Sequence, residues 1–285
     1  MAARSIFMRF PGGLSKALTL SYDDAVEQDF RLIDIMTAHG LKGTFNINSS
    51  QYISEDFEYP PEKKWGQRMT LARATELYSR PGIEHALHAY THPHLQTMSA
   101  PQIAYEIIKD RETLEEQFGD IVRGMAYPYG TYNDNVIRVL RDCGIVYART
   151  TKSTRAFVFP EEWLAWHPTC HHVDSALPEL TRKFTEEAPR ADQQPWLFYV
   201  WGHAYEFVRD DNWHIIENFA EQIGGMDDIW YATNMEIWEY TENFKRLVFS
   251  LDESLVYNPT AQTIWFMKHN KLVSVAPGQT VRTDN

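Results

Sequence analysis

Short apolar runs alternate with amphipathic stretches along most of this 285-residue chain. Seven runs have the length and composition of buried strands: 17–22, 43–47, 84–88, 123–127, 145–149, 197–201 and 229–232. The stretches between them carry helical patterns with recognisable ends. Residues 28–39 place Phe30, Ile33 and Met36 on one face and stop at Gly40. The stretch after Ser99 opens with a capping box, Ser99 and Gln102, and stops at Gly119. Residues 136–143 stop at Gly144, and 213–223 at Gly224. This alternation predicts a parallel sheet with right-handed crossovers, either doubly wound or closed into a barrel. In both, functional residues gather at the C-terminal ends of the strands.

Two regions break the rhythm. Residues 150–195 read as a long insertion rich in Pro, His and charge, with one helical piece near 177–187. From about residue 247 the chain reads as β, over 247–251, 255–257, 263–267 and 272–275. Turn signals separate these runs at Asn258-Pro259, His269-Asn270 and Pro277-Gly278. The expected organisation is one large α/β domain over 1–245 with a small antiparallel appendage, 246–285, packed on it.

A net charge of -12 argues against nucleic acid or an anionic membrane surface as a partner. Only Cys143 and Cys170 are present, which excludes a disulfide framework and suits a reducing compartment. The opening MAARSIFMRFPGG lacks a long apolar core, and no later run approaches a membrane span. A cytoplasmic setting is therefore expected. Aromatic residues make up 14 % of the chain, enough to build a large aromatic core and still line a cleft.

Candidate chemistry begins where the first apolar run ends, at Asp23 and Asp24. Side chains alternate along a strand, so one carboxylate can ligate a metal while its neighbour faces a substrate. His88 and His92 are four apart, a spacing that sets two imidazoles on one side of a helical turn. One Asp with two His forms a facial ligand set with positions left open. His85 and His94 lie nearby, so spacing alone does not force the choice. The pattern suggests a metal-dependent hydrolase.

Three segments sharpen that suggestion: Leu18-Thr-Leu-Ser-Tyr-Asp-Asp24, Glu84-His-Ala-Leu-His88-Ala-Tyr-Thr-His92-Pro93 and Met125-Ala-Tyr-Pro-Tyr-Gly130. In this order they resemble the successive motifs of the polysaccharide deacetylase family, the NodB-like carbohydrate esterases, over roughly residues 15–240. The fold expected with this resemblance is α/β, a distorted seven-stranded (β/α) barrel with a small β-rich C-terminal appendage. The resemblance implies Asp23 as general base and Asp24, His88 and His92 as ligands of one divalent metal ion, zinc by default. It also implies a Tyr129 backbone N–H for the oxyanion, and His203, closing the run Leu197-Phe-Tyr-Val-Trp-Gly-His203, as the catalytic acid. Tyr127, Tyr129, Trp166 and His171 are expected to contact the substrate. In this chemistry a divalent ion acidifies water and polarises a carbonyl, while base and acid move the protons.

The chain departs from the family pattern in three places. The Arg of Arg-Pro-Pro-Tyr-Gly, which orients the base, is replaced by Ala126, followed by Tyr127; Arg149 or Arg123 is a candidate substitute. Thr-Phe-Asp-Asp-Gly becomes Ser-Tyr-Asp-Asp-Ala. The fourth motif, an Asp and Trp pair supporting the acid, is not clear; Trp163 and the run Trp166-His-Pro-Thr-Cys-His-His172 occupy that part of the chain. A second metal on Cys170, His171 and His172 is less expected than satisfied polar residues in a buried loop. Glu206 is a candidate to orient His203. The expected activity is removal of acetyl groups from an N- or O-acetylated carbohydrate. One alternative keeps the metal and hydrolyses a small or cyclic amide, as a cytoplasmic setting would suit. The other, prompted by Ala126, is a non-catalytic carbohydrate-binding protein on the same scaffold.

Overall fold

The computed structural model describes residues 6–283. The strands are β1 (Ile6–Arg9), β2 (Lys16–Asp23), β3 (Gly43–Ile47), β4 (Ile83–Leu87), β5 (Gly124–Ala126), β6 (Tyr147–Arg149), β7 (Cys170–His171), β8 (Trp196–Gly202) and β9 (Ile229–Tyr231). Five more follow: β10 (Val248–Phe249), β11 (Leu255–Tyr257), β12 (Ile264–Lys268), β13 (Lys271–Val275) and β14 (Thr280–Arg282). The helices are α1 (Asp29–Ala38), α2 (Leu71–Tyr78), α3 (Ala100–Phe118), α4 (Asp134–Asp142), α5 (Leu177–Glu186), α6 (Ala204–Arg209), α7 (His214–Ile223) and α8 (Asn234–Lys245).

Seven parallel strands form one curled sheet in the order β6-β5-β4-β3-β2-β8-β7. The expected barrel is therefore a distorted half-barrel, and its seventh member differs from the expected one. The run at 229–232 supplies β9, which lies off this path and pairs only with Lys16–Leu18 of β2. The two-residue β7 takes its place, coming from the segment expected to be an insertion. Just upstream, Trp166 makes a parallel bridge to Arg149 on β6. The strap 166–171 thus reaches from one edge strand towards β8.

Alternation along the strands sorts the core into two layers. Leu18, Leu20 and Tyr22 of β2 face outward and pack in one cluster with Leu32, Ile33 and Met36 of α1. Ala17, Tyr147, Leu197 and Tyr199 face inward and join Trp166, Phe10, Tyr240, Ile264 and Phe266 in a second cluster. Each large apolar side chain so buried contributes roughly 1.5–3 kcal/mol. One polar chain links the interior: Thr19 Oγ1 donates to Asn234 Oδ1 at 2.9 Å, and Asn234 Nδ2 donates to Tyr199 OH at 2.6 Å.

The tail forms two three-stranded antiparallel sheets, β1-β12-β13 and β10-β11-β14. One of them includes β1, so the appendage draws a strand from the other end of the described chain. The capping box at Ser99 and the left-handed Gly119 close α3 as the sequence predicts. No described helix is long and apolar enough to cross a membrane.

Candidate active site and metal centre

The strands end at a cleft whose backbone carries five non-glycine residues with positive φ: Asp24 (86°), Ala25 (51°), Ala89 (58°), His92 (59°) and Tyr129 (58°). L-residues reach this conformation at a cost of roughly 1–2 kcal/mol each. Its concentration here shows that the loops are bent to bring side chains together. Asp23 ends β2, and the left-handed turn at Asp24 brings the second carboxylate back towards the first.

His88 and His92 do not share a helical turn, contrary to the expectation from their spacing. They lie on the loop after β4, folded by the positive φ of Ala89 and His92. Buried polar groups hold this loop. Asn48 Nδ2 donates to Ala89 O at 3.0 Å, and Asp110 accepts the His88 N–H at 3.1 Å. Glu106 accepts both the N–H and the hydroxyl of Thr91 at 2.8 and 2.9 Å. The two rings meet edge to face with centroids 4.8 Å apart.

Asp24, His88 and His92 form a candidate metal triad, each offering a ligand atom within 4.8 Å of the others. Their surroundings fit a cation. His88 Nδ1 bonds Ala126 O at 2.8 Å, which fixes the proton on that nitrogen and leaves the Nε2 lone pair free. Burial, and then the nearby His88, lowers the pKa of His92 to about 4, so it too offers a neutral ring. Burial opposes ionisation of Asp24, but Arg68, at 3.1 Å, together with His88 and His203 outweighs it and keeps the carboxylate charged.

Asp23 is held differently. Arg149 Nη2 donates to both its oxygens, at 2.5 Å to Oδ1, and Asn46 Nδ2 donates to Oδ1 at 2.9 Å. Burial would raise the pKa of Asp23, yet Arg149, His88 and His203 together bring it down to about 2. Arg149 is itself fully buried and lies over the Trp201 ring, 4.4 Å from its centroid. Of the two candidates to replace the missing Arg at Ala126, Arg149 reaches Asp23. Arg123 instead lies over Trp238 and bonds Gly144 O.

His203 stands opposite, with Nε2 3.8 Å from Asp23 Oδ2 and 4.0 Å from Asp24 Oδ2. Burial lowers its pKa, but Glu206 and the two aspartates reverse the effect and raise it. Tyr129 is exposed at the rim, stacked on His94 with centroids 3.9 Å apart and edge-on to His92 at 4.5 Å. His171 lies beside Trp201, its ring centroid 6.4 Å from that of His203.

Two expected substrate contacts lie elsewhere. Tyr127 is 1 % exposed and its hydroxyl donates to Leu164 O at 2.6 Å. Trp166 is fully buried among Tyr147, Trp163 and Tyr199. Both belong to the core, because bridge pairing at Trp166 and strand alternation turn these rings away from the cleft. Cys170 likewise joins the outer core layer and offers no third ligand to His171 and His172.

Residues 12–148 match the family model described as polysaccharide deacetylase. Among solved structures, a proposed polysaccharide deacetylase from Mycobacterium smegmatis aligns with a TM-score of 0.56 and 17% identity, covering 86% of this chain and 96% of its own. A CE4 family pseudoenzyme from Bacillus anthracis aligns with a TM-score of 0.50 and 18% identity, over 81% of this chain and 68% of its own. A Streptococcus pyogenes deacetylase in complex with acetate aligns with a TM-score of 0.42 and 19% identity; it covers 52% of this chain, which spans 61% of it. No curated protein matches the sequence.

Proposed function

We propose, from the match of residues 12–148 to the polysaccharide deacetylase family model, that this chain is a divalent-metal-dependent hydrolase that removes acetyl groups from an N- or O-acetylated carbohydrate. One observation carries the reading: an ionised Asp23, fixed by Arg149, faces His203 across the candidate triad Asp24, His88 and His92. A divalent ion held by that triad, zinc by default, would supply a Lewis acid that acidifies water and polarises the acetyl carbonyl.

The side chains divide the remaining work. Asp23 stays a carboxylate because Arg149 and Asn46 hold it, so it is available to accept a proton from attacking water. His203, whose pKa is raised by Glu206 and the two aspartates, is the proposed acid that delivers a proton from Nε2 to the departing amine or alcohol. Tyr129, exposed beside His92, presents a ring to the sugar, and its backbone N–H is the proposed oxyanion donor.

The test is acetate release from acetylated sugars and oligomers by the zinc-loaded protein, with metal content measured alongside. Asp23→Asn and His203→Ala should each lower kcat by about 10²–10⁴-fold while the metal is retained. Metal binding with hydrolysis of small cyclic amides only would favour the small-amide enzyme. Metal binding with no hydrolysis of any substrate would place this chain with non-catalytic proteins, as the Bacillus anthracis neighbour is described.

A further inference from the structure

A second cluster stands behind His203, on the side away from the aspartates. α6 starts directly after His203, and Glu206 folds back from its first turn as a capping residue does. Its Oε2 accepts the His203 backbone N–H at 3.3 Å. The same fold-back sets that oxygen 3.4 Å from His203 Nδ1 and 3.1 Å from His171 Nε2. His172 Nε2 is also 3.4 Å away, and Arg209 Nη2 is 3.5 Å from the other oxygen. His172 is 1 % exposed, lies between the Tyr22 and Phe207 rings, and has no hydrogen-bond partner at either nitrogen.

The proton on His171 can be assigned. The Val173 N–H donates to His171 Nδ1 at 3.3 Å, so that nitrogen is an acceptor and the ring proton sits on Nε2, facing Glu206. His171 is thereby a donor that anchors the carboxylate from the cleft side. A carboxylate so anchored lies 3.4 Å from His203 Nδ1, outside hydrogen-bond geometry, and its charge favours a proton on that nitrogen.

We infer that Glu206 is a positioning residue: shared by His171 and His203, it fixes the His203 ring with Nδ1–H turned inward and Nε2 turned to Asp23 and Asp24. It does from α6 what the unclear fourth motif would otherwise supply. His171 serves this carboxylate rather than the substrate. The effect on rate depends on the deacetylase reading; the ring's orientation does not.

The test compares wild type with Glu206→Gln in the zinc-loaded full chain. Nitrogen-15 NMR of the histidines, at a pH where His203 is neutral, reads the tautomer; kinetics and metal analysis run in parallel. Wild type should show His203 protonated at Nδ1, and the variant should lose that preference. Its kcat should fall about 10–100-fold, the scale seen when a partner of a functional histidine is removed, with KM within twofold and metal content unchanged. If Glu206→Gln does not fold, Glu206→Asp, which keeps the charge but withdraws the oxygen, should show the same change in part. An unaltered tautomer with kcat within threefold of wild type overturns the inference. So does a second bound ion lost in Glu206→Gln, which would make His171, His203 and Glu206 metal ligands. If wild type releases no acetate, the deacetylase reading fails while the NMR result still decides the role of Glu206.

Discussion

Two carboxylates enter the interior of this half-barrel, and β6 supplies a partner to each. Arg149 reaches Asp23 at the cleft end; Tyr147, two residues earlier, donates to Glu84 at the other end. Glu84 also accepts from the Thr44 hydroxyl at 2.8 Å and the Met235 N–H at 2.9 Å. Three neutral donors do not balance burial, and the pKa of Glu84 stays raised. A guanidinium, with His88 and His203 beside it, does balance it, and Asp23 falls to about 2. The lower carboxyl ties β4 to β3, β6 and α8, and it lines a pocket with Lys42, Arg123 and Glu236 at the end of the sheet away from the cleft. The upper one is kept charged where the loops are strained and a cation can sit. One strand thus provides for structure at one end and for chemistry at the other, with the partner's charge making the difference.

Breaking the upper pair should have the largest effect. Arg149→Met leaves a buried carboxylate uncompensated and should cost about 3–5 kcal/mol, read from urea unfolding at pH 7. The sign with pH follows from the depressed pKa. Asp23 contributes stability above its unfolded value of about 3.9 and loses it as pH falls through about 2. The deficit of the variant should therefore shrink in acid; a pH-independent deficit would show that Arg149 acts through packing on Trp201 alone.

The lower carboxyl should behave in the opposite sense. Its raised pKa means that its contribution is complete below about 4.3 and is lost as pH rises through the raised value. Glu84→Gln should be less stable than wild type by about 1–3 kcal/mol at pH 5, since an amide nitrogen meets donors there. That gap should narrow towards pH 8, measured by thermal unfolding, with kcat unchanged.

The smallest effect concerns backbone strain at the cleft. Ala25 holds a φ of 51° where the family pattern has glycine. Ala25→Gly should raise stability by about 1 kcal/mol, visible as a higher Tm. A lower Tm would mean that the Ala25 side chain, 4 % exposed in the core, contributes more by packing than its conformation costs.

The parallel sheet was legible because six of its strands are apolar runs, four of them followed by helices that stop at glycine. β7 was not, since two residues carry no period, and only pairing with β8 makes Cys170–His171 a strand. Asp23, Asp24, His88, His92 and His203 could be picked out by order along the chain and do converge. The geometry joining His88 to His92 could not be, because four-residue spacing in a loop is set by left-handed residues. Tyr127 and Trp166 were misplaced for a related reason: a short strand shows that faces alternate, not which face is the cleft. Arg149 could be named beside Arg123, but choosing between them needed the inward phase of β6. Glu206 carried a signal in its position three residues after His203, the spacing of a cap.

The pairing of β1 with β12 has a consequence for how the protein is made. Ile6–Arg9 is synthesised long before its partner Trp265–Lys268. Met8 and Phe10, both buried in the finished molecule, must wait unpaired until that partner is made. A nascent chain stalled before residue 264 would therefore leave an apolar strand without its partner, open to chaperones that bind such segments.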